Sequence, residues 1–141
     1  MTRKIIAALC FSLILFNSIS VNAEEGKYVQ IFDPKQNKVV KAVEVNQEIQ
    51  DVVVNWIRNI QGRHGKMDPI TDDGYAVKVP LDPPVKVNSN WLNANVKEVY
   101  IIIPEKEPPF LGIFIKEDIL IYYLFDGNID MLSKSLDFKL K

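Results

Sequence analysis

The sequence predicts an α+β fold: an antiparallel sheet of about five to seven strands packed by one long amphipathic helix, with a short helix at the C-terminus. Three observations predict it. Ile49, Val52, Val53, Trp56, Ile57 and Ile60 recur at the spacing of one helical stripe. Short segments rich in Val, Ile, Tyr and Phe are punctuated by Pro, Gly, Asn and Asp. Two strongly apolar segments, "FLGIFI" and "ILIYYLF", are joined tightly through Lys116-Glu117-Asp118, as in a central hairpin.

The elements follow in order. Arg3 and Lys4 precede an apolar run from Ile5 to Phe16, which is shorter than the roughly 20 residues of a membrane span. Val21-Asn22-Ala23 then offers small residues at the positions a signal peptidase reads. Residues 1–23 are therefore read as a signal peptide cleaved after Ala23, with Ser20 as the second choice of site and an uncleaved signal anchor as the alternative. Cys10 lies inside the apolar run after Ala7-Ala8-Leu9, where a lipobox would need a small residue in place of Leu9. It leaves with the signal, so residues 24–141 carry no cysteine and have neither a disulfide nor a thiolate for catalysis or metal binding.

Residues 24–141 suit one globular domain. Loss of Arg3 and Lys4 takes the formal charge from −1 to −3, with acids and lysines interspersed. That pattern gives no nucleic-acid surface, and no later segment suits stable membrane insertion.

"KYVQIF" and "VVKAVEV" read as a hairpin over residues 27 to 45, turned by Asp33-Pro34. Asn46 is a good N-cap for the helix that follows, and Gly62 is expected to end that helix as a left-handed residue. "GYAVKVP" alternates as a half-buried strand. "LDPP" interrupts it and "VKV" resumes on an edge, because proline donates nothing to a ladder. "NSNWLNAN" is a turn, and "VKEVYIII" is a strand polar at its start and apolar at its end. After the final hairpin, "IDMLSKSLDFKL" is a terminal helix with Met131, Leu132 and Leu136 inward. Strands apolar on both sides need cover on both sides; the terminal helix, the Pro-rich loops and a partner are the candidates.

The segments "YVQIFDPKQNKVVKAVEVNQEIQ", "VKVPLDPPVKV" and "WLNANVKEVYIIIPE" resemble small secreted proteins of unassigned function from spore-forming Gram-positive bacteria. The resemblance covers most of residues 27–104. It implies export and carries no catalytic residues with it.

The stretch "GRHGKMDPITDDG" holds the most site-like chemistry. Arg63, His64, Lys66, Asp68, Asp72 and Asp73 are its candidate ligand-binding residues. The spacing is not that of a phosphate loop, which needs four residues between its glycines and opens a helix instead of leaving one. The ordered acids of a calcium loop are absent too. A single histidine and no cysteine after residue 23 argue against a zinc site, and no metal or other cofactor is expected. Cations past a helix C-terminus complement its dipole, so the loop reads as a connection with an exposed His64.

Trp91 lies among Asn88, Asn90, Asn93 and Asn95, a composition that suits stacking on a sugar; burial beside Leu92 is the plainer fate. Three functions remain. The leading one is a secreted, non-catalytic module binding a protein or a cell-envelope ligand, with an inhibitor-like role through stiff Pro-Pro loops or an edge strand as a special case. The second is a small extracytoplasmic enzyme using His64 with Asp68, Asp72 or Asp73. The third is a glycan-binding module centred on Trp91.

Overall fold

The computed structural model describes residues 27–66 and 69–141. The signal-peptide reading of residues 1–23, Cys10 within it, and Asp68 lie outside the described residues.

The sheet has seven antiparallel strands: β1 (Tyr28–Asp33), β2 (Lys38–Glu44), β3 (Ile60–Arg63), β4 (Tyr75–Asn88), β5 (Asn93–Ile103), β6 (Phe110–Lys116) and β7 (Ile119–Phe125). Their spatial order is β2-β1-β4-β5-β6-β7-β3. Two helices complete the domain, α1 (Gln47–Arg58) and α2 (Ile129–Leu136). The architecture is α+β, with more sheet than helix.

The first hairpin forms where the sequence places it. The Asp33 carboxylate accepts the Lys35 amide at 2.9 Å and the Gln36 side-chain amide at 2.7 Å, which closes the turn. Asn37 takes the left-handed conformation at φ 54°, as short polar residues tolerate. Asn46 caps α1 by accepting the Ile49 amide at 2.9 Å.

The helix itself differs from expectation. It is 12 residues long and ends at Arg58, with Asn59 as its C-cap. The apolar stripe does not end there, because Ile60 passes into β3 and pairs with Phe125. A periodic stripe cannot reveal this, since Ile60 is apolar in either role. Gly62 is consequently no helix terminator: it sits in β3 at a register shift, with φ of 157°. Of the stripe, Ile49, Val53, Trp56 and Ile57 are buried. Each such side chain contributes about 1.5–3 kcal/mol by leaving water.

Side chains from alternate positions form two cores. The larger joins α1 and α2 to Val29, Ile31, Val77, Val79, Val99, Ile101, Ile103, Leu111, Ile113 and Tyr123. The smaller gathers Phe32, Ile70, Ala76, Tyr100, Ile102 and Phe110 on the opposite face. Both helices therefore cover the same face. Within α2, Ile129, Leu132 and Leu136 point inward, whereas Met131 is 51% exposed, contrary to expectation. Once Ile129 and Leu132 set the inward face, Met131 is rotated away from it, because each residue advances the helix by about 100°.

Candidate functional site

The described residues of the stretch 62–74 fasten the second face of the sheet. Buried Ile70 joins the smaller core, and the His64 ring lies against Phe110, centroids 4.7 Å apart at 63°. The His64 amide donates to the Tyr122 carbonyl at 2.9 Å, so the chain leaving β3 continues along β7. The Lys66 amide donates to His64 Nδ1 at 3.1 Å. Burial lowers the His64 pKa from its ordinary value, Glu107 opposes this, and Lys66 adds to it. His64 is therefore half-buried packing material where exposure was expected.

The other candidate residues scatter. Arg63 is exposed on β3 opposite Tyr123. Lys66 pairs with Glu107 at 2.6 Å. Neither Arg63, His64 nor Lys66 neutralises a helix terminus, because a strand separates them from α1; Arg58 is the base in its last turn. Asp72 is exposed and makes no hydrogen bond or ion pair among the described residues. Asp73 accepts the Thr71 hydroxyl at 2.8 Å and the Glu105 amide at 3.1 Å. These hydrogen bonds, the Glu105 amide first and Thr71 next, hold its carboxyl below the ordinary range, with Lys35 and Lys106 assisting. Charges acting on His64 and on Asp73 come from different residues, and no hydrogen bond joins His64 to an aspartate among the described residues. No group of three or more His, Cys, Asp or Glu that suits a metal ion occurs among the described residues.

Trp91 departs from the plainer expectation. Leu92 is buried at the tip of the β4–β5 hairpin, but Trp91 is 48% exposed. Its indole lies over Gly62, close enough that a Cβ there would come within 3.7 Å of the ring. The contact is informative because β6 and β7 separate β5 from β3 in the sheet. The hairpin tip therefore leaves the plane of the sheet and reaches its far edge.

The cause lies in β4. Its pairing with β5 shifts register between Pro80 and Val85, around Pro83 and Pro84. Proline has no amide to donate, so the ladder breaks there and the distal half of the hairpin re-aims. Residues 85–88 pair with β5 alone, which matches the expected edge segment.

This bend opens the most distinctive feature of the second face. β5 and β6 pair only over Tyr100↔Gly112, Ile101↔Leu111 and Ile102↔Phe110. Beyond Tyr100, residues 93–96 and 98 of β5 have ladder partners in β4 only, and residues 113, 114 and 116 of β6 in β7 only, with Lys97 and Ile115 at register shifts. Between the parted strands lies a cleft of about 390 Å³, lined by Asn95, Lys97, Glu98, Tyr100, Phe114 and residues 115–117.

Its floor is tightly organised. The Tyr100 and Phe114 rings meet edge to face, centroids 5.9 Å apart. The Tyr100 hydroxyl donates to Glu98 Oε1 at 3.1 Å, and Lys78 Nζ pairs with Glu98 Oε2 at 3.4 Å. Lys78 is nearly buried, whereas Glu98 keeps part of its side chain in solvent. Burial, then the adjacent Glu98 charge, pushes the Tyr100 phenol far up; it stays protonated and remains a donor. Sequence reading missed this cluster. Its one visible signal is the polar start and apolar end of "VKEVYIII": the polar half is the half that parts from β6.

Among the described residues, no helix is long and apolar enough to cross a membrane. Comparison with protein-family models, with curated proteins and with solved structures gives no match.

Proposed function

We propose that this chain is an exported, non-catalytic module that binds a polypeptide partner. The parting of β5 and β6 is the observation that carries the reading, because it leaves main-chain donors and acceptors of two strands without ladder partners inside a sheet. Export rests on the Arg3-Lys4 start, the apolar run and Val21-Asn22-Ala23. The enzyme reading is weaker, since His64 packs on Phe110 and holds no carboxylate among the described residues.

Glycan binding is a second reading, favoured by one observation: Trp91 is half exposed among exposed Asn88, Asn90 and Asn93. A single experiment separates the two. The exported protein, whose N-terminus should be Glu24, is immobilised and offered proteins of the medium and envelope of the producing cell, and separately its wall polysaccharide. The expected result is a retained protein that re-forms a defined complex in solution with the wild type and equally with Trp91→Ala. Retention of polysaccharide alone, lost in Trp91→Ala, would replace this reading with the glycan one. An N-terminus at Met1 would refute the cleavage.

A further inference from the structure

We propose that the β5–β6 cleft takes an extended peptide as an added strand, an acidic segment that carries an apolar side chain onto the Tyr100–Phe114 floor. The proposal rests on the polypeptide-binding reading and specifies its site and ligand chemistry.

The main chain comes first. A strand paired on one side presents outward N–H and C=O groups at every second residue. Residues 93–96 do so on the side away from β4, and residues 113–114 on the side away from β7, up to the register shifts at Lys97 and Ile115. A polypeptide in extended form supplies donors and acceptors at the matching repeat. The two outer edges of the sheet are blunted instead: β2 carries Lys38, Lys41 and a register shift, and β3 is only four residues long with a register shift of its own, devices that discourage added strands.

Side chains then restrict the peptide. Tyr100 and Phe114 meet edge to face at the cleft floor, which favours an aliphatic or aromatic residue above them. Both Glu98 oxygens are already engaged, one by the Tyr100 hydroxyl and the other by the Lys78 ammonium. Lys97 and Lys116 line the cleft, are exposed, and make no ion pair among the described residues. Glu117 is the one lining acid not so engaged, so the two lysines leave the cleft positive. A carboxylate on the peptide is the complementary charge, and its main effect is on selectivity and encounter rate.

The probe is a phage-displayed library of random linear peptides, selected on the exported full chain, with the most enriched sequence then synthesised. The expected sequence is acidic with one central apolar residue. Bound at saturation, it should slow amide exchange in residues 93–98 and 113–116. N-methylation at either set of alternate peptide residues should weaken binding by at least about tenfold, because one set donates to β5 and the other to β6. The double variant Lys97→Glu/Lys116→Glu should lose about tenfold while melting as the wild type does. Failure to enrich any peptide, protection at other residues, or binding that N-methylation leaves unchanged would each overturn the proposal. If a captured protein still binds the double variant and protects other residues, the cleft fails while the polypeptide-binding reading stands. If neither peptide nor protein binds, both fall.

Discussion

The edge of the His64 ring meets Phe110 with centroids 4.7 Å apart, and Phe110 in turn meets Tyr122 at 5.7 Å. The lone histidine thus belongs to a chain of aromatic contacts that closes the second face of the sheet. His64→Ala should cost about 0.5–1.5 kcal/mol, the worth of an aromatic pair beyond its area. The sign of the pH effect follows from burial. The folded pKa lies below the ordinary 6.5, so the unfolded chain takes up a proton first as pH falls. Stability attached to neutral His64 is therefore complete above about pH 6.5 and declines as pH drops toward the lower folded value. Melting of the wild type and His64→Gln between pH 7.5 and 5.5 checks this: the wild type should lose its advantage at the acid end. A constant difference would place the ring in solvent.

Trp56 is 4% exposed in the larger core, and its ring stands 4.9 Å from that of Phe125. Trp56→Ala should cost about 3–5 kcal/mol, a large share of the stability of one domain. Urea unfolding measures it, and an unchanged midpoint would mean that the helix does not pack as described.

Gly74 opens β4 with φ of 70°, and a Cβ there would lie 1.8 Å from the Ile103 carbonyl oxygen. The left-handed conformation alone costs a non-glycine residue about 1–2 kcal/mol, and the backbone clash adds to it. Gly74→Ala should therefore melt well below the wild type. Gly65, with nothing within 4 Å of an added Cβ, is the control, and Gly65→Ala should melt nearly as the wild type.

Asp73 ties two loops together by accepting from Thr71 and from the Glu105 amide. Because Asp73 is only half-buried, Asp73→Ala should cost about 0.5–1.5 kcal/mol. The folded carboxyl titrates below 3.8, so its contribution is present above that pH and is lost as pH falls through the folded pKa. Amide exchange at Glu105 should rise in the variant at neutral pH. Unchanged exchange there would remove the loop-tying role.

Residues 46–57 and the two hairpins were legible from the sequence because their signals are local. Asn46 caps through a bond three residues away, and Asp33 closes its turn with Lys35 and Gln36. Alternation separates the two faces of β1, β4 and β6 equally well. The composition of residues 62–74 left two roles open, because histidine, glycine and aspartate serve packing and turns as readily as ligands.

What the sequence determined by itself was every strand but β3, the helix start and the alternating burial, all written in patterns a few residues long. Only the tertiary structure decided which partner each edge receives. Ile60 left the helical stripe because Phe125 offered it a strand to pair with. The second face was closed by Ile70 and His64, with α2 packed on the other side. Tyr100 marks where β5 leaves β6, although "VKEVYIII" runs on as one strand. Pairing joins residues far apart in the chain. Its outcome depends on how prolines in a neighbouring strand bend a hairpin, and no local pattern carries that geometry.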